Sequence, residues 1–464
     1  MEPFGRSCYQ SNDNYVVFNV TNTKRCVSII HKPKSLKPKF STKTTHYCIL
    51  FSPEKIPLLA LEIYTYLNFY MNDGGERVER LIYVGKADTS GLSSSDVVNV
   101  GGFVTEYLNY VAGIPIKEIM GQLNIDENKI NKEQLDNHDI DSDEEDSPKN
   151  NEKSSYDGPI FLSETQKKLY LLAKPDIIDK HVPNKHISGT EYLKKLGFSD
   201  KYFSDKFIIE TKLVLFTRAE GQYIFPESVK NENKHILDGT NLLKWWLKNT
   251  ENISNGWNSC EKYLDVLNMD DREIQRYFPL NSKDWKVGNV YDGSVSGDLS
   301  QAIYNIPLLP DDPKGRFLEH IVVEGRAKKL NCKRYWQELA IRQEFRFGAV
   351  VGLIGIKGNI ETNNTIGKYS YVTANHLKQF TELITSKDYS DKSDWNLLYD
   401  EILDLSFIKP IFIKGEWKGR KRIYEGDSKL SNNGNIDQKN KPVAVINTLM
   451  CVRSKKKLKA KTTS

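Results

Sequence analysis

His46-Tyr47-Cys48-Ile49-Leu50-Phe51, Leu61-Glu62-Ile63-Tyr64-Thr65-Tyr66 and Arg80-Leu81-Ile82-Tyr83-Val84-Gly85 are three apolar runs crowded into residues 46–85. Each is short and rich in β-branched and aromatic residues, which predicts strands; where the apolar residues run on without alternating, the strand is buried on both faces. Phe207–Phe216 and Phe345–Ile356 extend the pattern, so one central sheet is expected. Helical spacing predicts helices over Phe103–Ala112, Ser163–Leu172, Gly239–Lys248, Cys260–Phe278, Pro313–Ala327, Lys333–Glu344, Ala374–Thr385 and Trp395–Leu405. A chain of 464 residues exceeds the size at which one core usually stops growing. Helices and strands are nevertheless interspersed along it, and no Pro/Gly/Ser linker divides them. The expectation is one large α/β mixed domain over 1–425, then a polar linker, the short apolar stretch Val443–Val452 and a basic tail over 426–464.

Charge is distributed unevenly around a net +5. Seven of the eleven residues Asp136–Asp146 are acidic, within a stretch of about 126–157 that lacks any apolar period; this reads as a disordered insertion. Its Asp139, Asp141 and Asp143 lack the turn glycine and terminal glutamate of a calcium loop. Arg453–Lys461 carries six Lys/Arg in nine residues, the composition of a nuclear-import or nucleic-acid-contact tail. No basic-then-apolar leader opens the chain and no apolar run approaches the roughly 20 residues of a membrane span, so a soluble, non-secreted protein is expected. The six cysteines are scattered without a Cys-x-x-Cys pair, and the histidines form no metal-ligand or triad pattern.

Chemistry concentrates in Tyr304-Asn305-Ile306-Pro307-Leu308-Leu309-Pro310-Asp311-Asp312-Pro313-Lys314-Gly315-Arg316-Phe317. Three prolines pre-set the backbone that carries Asp311 and Asp312, and adjacent carboxylates raise one another's basicity, as a general base requires. The same residues serve equally as a turn and helix cap, with Pro313 at the first helical position. Leu215-Phe216-Thr217-Arg218-Ala219-Glu220-Gly221-Gln222-Tyr223 runs from a strand into a loop whose Arg218 offers a fork for phosphate oxygens. Lys234-His235-Ile236-Leu237 precedes a helix bearing Trp245 and Trp246, which point about 100° apart, one toward the core and one as a wall. Val84-Gly85-Lys86-Ala87-Asp88-Thr89-Ser90-Gly91 and Val97-Val98-Asn99-Val100-Gly101-Gly102 form a strand, small-residue loop and helix start suited to an anion, although the spacing matches neither a Walker loop nor a dinucleotide fingerprint. Gly352, Gly355 and Gly358 read as close-packing glycines.

Together, Lys86–Thr89, Leu215–Arg218 with Gln222-Tyr223 and Phe225-Pro226, Lys234–Leu237, Trp245-Trp246 and the proline loop resemble the fungal histone H3 acetyltransferase family known as regulator of Ty1 transposition. The resemblance spans about 44–356, with Asn447-Thr448-Leu449 also similar. It implies a fold distantly similar to the CREB-binding-protein acetyltransferases, a central sheet wrapped by helices. It also implies use of acetyl-CoA to acetylate histone H3 at a core lysine near where DNA enters the nucleosome and at tail lysines. By resemblance, Asp312 matches the proton acceptor, with Asp311 beside it; Tyr223 and Trp246 line the lysine channel. Ala87, Asp88, Thr89, Val97, Val98, Asn99, Val100, Gly101, Phe216, Arg218, Glu220, His235, Ile236, Leu237 and Trp245 match coenzyme contacts. Lys314 matches a buried, autoacetylated lysine that meets the carboxylate matching Asp88. Leu92–Ser95 departs from the family by a residue. The implied partners are histone H3–H4 and chaperones of the nucleosome-assembly-protein and anti-silencing-function types, in the nucleus, in chromatin assembly, transcription regulation and the response to DNA damage.

The residues suit that chemistry. Acetyl transfer needs a neutral amine from a group of pKa about 10.4, which a carboxylate pair and a dry Tyr/Trp channel would together supply. Direct attack requires no protein nucleophile. Two other readings compete: an idle histone- or chaperone-binding module, and an acyltransferase with a non-histone substrate.

Overall fold

The computed structural model describes residues 14–26, 28–30, 37–72, 75–93, 98–126, 186–280, 282, 284–291, 301–342, 345, 350–363 and 369–414. The acidic stretch beyond Asp126, the Ser163–Leu172 helix and the 426–464 tail therefore lie outside the described residues. Among those described, ten strands form one sheet, ordered β11 (Ser370–Tyr371), β1 (Asn14–Arg25), β2 (Phe40–Phe51), β3 (Pro57–Asn72), β4 (Gly75–Thr89), β7 (Ile208–Thr217), β10 (Gly352–Glu361), β8 (Asn258–Val266), β9 (Trp285–Val287). The tenth, β12 (Pro410–Lys414), also pairs with β1, and β5 (Asn124–Asp126) pairs antiparallel with β6 (His186–Ser188) in a separate ribbon. Most neighbours are antiparallel. The exception that matters is β4 beside β7, which run parallel from Glu79↔Glu210 to Val84↔Leu215 and so end on the same side.

The expected strands fall within β2, β3, β4 and β7, and the sheet is covered on both faces, as continuous apolar runs require. One face packs Leu61, Ile63, Ile82 and Leu213 under helices Val100–Gly113 and Gly239–Ser254. The other has two patches. Val16, Phe18, Ile49 and Phe51 lie under Ala374–Thr385 and Leu398–Asp404. Tyr66, Leu81, Tyr83 and Leu353 lie under Pro313–Val323 and Cys332–Ala340. No helix of the described residues is long and apolar enough to cross a membrane.

Three expectations need correction. Cys260–Phe278 is not one helix: it is β8, then the short helix Asp271–Gln275. Residues 262, 264 and 266 alternate inward, but the first is Lys262, whose buried ammonium pairs with Glu251 Oε1 at 2.8 Å, so the alternation carries a charge. The Phe345–Ile356 strand begins at Gly352 and runs to Glu361. Trp395–Leu405 is two helices, Lys392–Trp395 and Leu398–Asp404.

Near the C-terminal end of the Val100–Gly113 helix this apolar core also holds two ionisable groups. Arg80 is buried and donates to the carbonyls of Ala112 and Ile114, satisfying groups that a helix end leaves free. His46 is buried beside it, with Nε2 3.1 Å from Thr65 Oγ1. Burial, reinforced by the nearby Arg80 charge, pulls the imidazole down to about 3. The unfolded chain therefore takes up a proton at this residue near pH 6.5 that the folded protein refuses until about pH 3, and stability falls as pH drops through that window. In urea unfolding, wild type is expected to lose about 1.4 kcal/mol relative to His46→Leu for each pH unit below 6.5; parallel pH curves would contradict this.

Candidate active site

Because β4 and β7 are parallel, the loops that follow them leave the sheet together, and between those loops lies a cavity of about 600 Å³. This is within the roughly 300–1,000 Å³ usual for small-molecule sites. Its walls are mainly apolar: Leu59, Val98, Val100, Leu215, Phe216, Leu242, Trp245 and Trp246. The polar groups enter from two strand ends and from the start of the Pro313–Val323 helix.

A one-residue irregularity decides what faces the cavity. Glu62 pairs with Lys86 but Ile63 with Val84, so Gly85 is an extra residue in β4. The bulge resets the alternation, placing Lys86 and Asp88 on the side that carries Glu62. Only glycine fits there, since a Cβ would stand 2.8 Å from Tyr64 Cε2.

Asp88 holds the second loop. Its Oδ2 accepts from the amides of Tyr223 (2.7 Å), Ile224 (2.9 Å) and Phe225 (3.2 Å), while Oδ1 meets Lys234 Nζ at 2.5 Å. Lys234 also donates to Thr89 O and Ser228 Oγ. Gly91, at φ +68°, lets the first loop pass so close to Lys234 that a Cβ would lie 2.6 Å from that side chain. His235, Ile236 and Leu237 are thereby fixed along the cavity wall. Tyr223 lines it too, donating its hydroxyl to Arg218 O at 2.6 Å. Burial and the neighbouring Glu220 push that phenol up to about 12, so it stays protonated.

The two acids differ. Asp311 lines the cavity at φ +51°, with Oδ2 2.9 Å from Lys86 Nζ. The hydrogen bond and charge of Lys86 hold its carboxyl below the usual range, the opposite of the rise in basicity expected from the neighbouring acid. Burial works against the Lys86 ammonium, but Asp311 and Glu62 outweigh it and raise its pKa. Asp312 is buried just behind. It caps the helix by accepting from Lys314 N at 3.1 Å, with Pro313 at the first helical position, and both its oxygens contact Lys314 Nζ, at 2.6 and 2.5 Å. Phe216 and Tyr291 flank that ammonium at 5.2 and 5.8 Å, and Tyr335 donates to Lys314 O.

The cavity thus gathers Ala87, Asp88, Thr89, Val98, Val100, Phe216, Arg218, Glu220, Tyr223, His235, Ile236, Leu237, Trp245, Trp246 and Asp311. Both indoles reach it; as expected, one of them, Trp246, is also buried in the core while Trp245 stands as a wall, and the two rings lie at 84° to each other. Asn99 and Gly101 are taken up by the helix start instead: Asn99 accepts from Gly102 N, and Gly101 packs on Asn249. Val97 lies outside the described residues. The expected meeting of Lys314 with Asp88 does not occur, because Lys234 occupies Asp88 and Asp312 occupies Lys314. Sequence reasoning quoted Lys86, Lys234, Glu62 and Arg316 within their runs but gave none of them a partner or a role; nothing in their spacing signals partners brought together from separate elements.

Since Asp312 and Lys314 are both buried, removing one charge strands the other. Asp312→Asn and Lys314→Met are each expected to cost roughly 3–5 kcal/mol, and the double variant less than either. A urea double-mutant cycle with additive losses would refute the coupling.

Comparison with known proteins gives a consistent result. The histone acetyltransferase KAT11-type domain matches residues 10–409. The chain is 31% identical over 390 residues to histone acetyltransferase RTT109 of Candida albicans, covering 82% of this chain and 94% of that protein. It is 31% identical over 161 residues to histone acetyltransferase rtt109 of Schizosaccharomyces pombe, covering 31% of this chain and 40% of the relative. In fold it is similar to the crystal structure of Rtt109 from Aspergillus fumigatus, with a TM-score of 0.58 at 14% identity, covering 90% of this chain and 99% of that one.

Proposed function

The chain belongs to the KAT11-type histone acetyltransferase family, and from that premise we propose that it transfers acetyl groups from acetyl-CoA to lysines of histone H3 in the nucleus. The acceptors are a core lysine near where DNA enters the nucleosome and lysines of the tail. Chaperones of the nucleosome-assembly-protein and anti-silencing-function types present H3–H4, and the modification serves chromatin assembly and genome stability. One observation carries this reading: a single cavity is lined by most of the residues assigned to the donor together with Tyr223, Trp246 and Asp311 of the acceptor side.

The apolar wall of Val98, Val100, Leu215, Phe216 and Trp245 suits the aliphatic arm of the coenzyme, and Arg218 and His235 offer donors for its phosphates. Trp246 and Tyr223 border the acceptor side, where an apolar lining favours the neutral amine. Asp311 meets the incoming ammonium, and the proton passes on to Asp312. The amine nitrogen then attacks the thioester carbonyl carbon, the C–S bond breaks, and the proton that the acylated nitrogen must still shed is taken up by the departing sulfur. In the geometry described, Lys314 saturates Asp312. Acetylation of Lys314 removes its positive charge and releases Asp312 to act as the base.

Incubating the full chain with acetyl-CoA and H3–H4, with and without a chaperone, and mapping the products by mass spectrometry tests the reading. Acetylated H3 lysines, in greater yield with the chaperone, are expected; unmodified histones throughout would overturn it. Asp312→Asn should lower kcat by about 10²-fold with acetyl-CoA affinity within about twofold of wild type. Unchanged turnover would remove Asp312 from the mechanism. Full activity in Lys314→Arg would make its acetylation dispensable.

A further inference from the structure

Lys86 has no assigned role, yet it lines the cavity beside Asp311. Its ammonium lies 2.9 Å from Asp311 Oδ2 and 3.5 Å from Glu62 Oε2, and Glu62 in turn accepts from the Tyr64 hydroxyl. The two carboxylates are anchored differently. Glu62 sits in β3 with its side chain 15% exposed, whereas that of Asp311 is 72% exposed on a loop. Lys86 therefore has one fixed partner and one detachable partner. Lys43 from β2 and Arg316 from the Pro313–Val323 helix add positive charge toward Asp311.

The reaction places opposite demands on this corner. A donor bearing phosphates is drawn by positive charge, whereas an acceptor that arrives as an ammonium is drawn by a bare carboxylate. Building on the acceptor-site assignment above, we propose that Lys86 is a specificity-determining residue. Its ammonium covers Asp311 until the acceptor lysine takes its place, and it then rests on Glu62 alone. No covalent bond forms or breaks in the exchange; one ammonium replaces another at the same carboxylate. The bulge at Gly85 aims Lys86 at this point, and Glu62 spares it from isolation when Asp311 changes partner.

The test is steady-state kinetics of the full chain with acetyl-CoA and H3–H4, each varied against saturating partner, for wild type, Lys86→Met and Lys86→Arg. Lys86→Met should lower the KM for H3–H4 about threefold and raise that for acetyl-CoA by a similar factor. Lys86→Arg, which keeps the cation, should return both to within about twofold of wild type. Melting temperatures report folding, and Lys86→Gln serves if the methionine variant does not fold. A general loosening of the site would raise both KM values, and that result, or no change in either, overturns the role of Lys86. Calorimetric binding of acetyl-CoA and of an H3 lysine peptide should show the same opposite signs without turnover. The inference is thus decided even if wild type transfers no acetyl group, the outcome that overturns the proposed function instead.

Discussion

The extra residue at Gly85 governs the rest of the site, because strand alternation allows no half measures: shifting by one position sends every later side chain to the opposite face. With the bulge, β4 delivers Lys86 toward Asp311 and Asp88 toward the second loop. Asp88 then gathers three successive amides and one ammonium, and the segment carrying His235, Ile236 and Leu237 lies where that carboxylate holds it. Tyr64 packs its ring against the space where a Cβ would be, so the sequence that makes the bulge also locks it.

Lysine–carboxylate pairs of different energetics meet at this site. Asp88–Lys234 and Asp312–Lys314 are nearly inaccessible to water. While both lysines keep their charge, opening either pair would leave a buried carboxylate or ammonium unpaired at a cost of several kcal/mol, so in that state they act as frame. Lys86–Asp311 is half in solvent, and exposed pairs are worth about 0–1 kcal/mol. A rigid frame with one loose pair suits a cavity that must admit ligands of opposite charge in the same catalytic cycle.

The parts legible in the sequence were those whose signal is local. β2, β3, β4 and β7 announce themselves by apolar runs, and the helix start at Asp312-Pro313 by the cap and proline. β8 was hidden because its inward positions include Lys262, and β1 because Asn19, Thr21 and Thr23 are buried polar residues that mimic a loop. The resemblance located most cavity residues but not their partners: which carboxylate takes Lys314 depends on Lys234 reaching Asp88 from another element. The facing of Lys86 was illegible for a different reason: Gly85 ends the apolar run, where a glycine reads as the end of the strand, and the bulge it makes inverts the count from which facing would be inferred.

Asp126 and His186 stand opposite each other in the β5–β6 ribbon, so positions far apart in sequence close against each other there. Three pairings hold the ribbon: Asn124 with Ser188, Ile125 with Ile187 and Asp126 with His186. Two positions sixty residues apart in the chain are thereby pinned about 5 Å from each other, one strand spacing, so an insertion or deletion between them enters and leaves the sequence at neighbouring points in space.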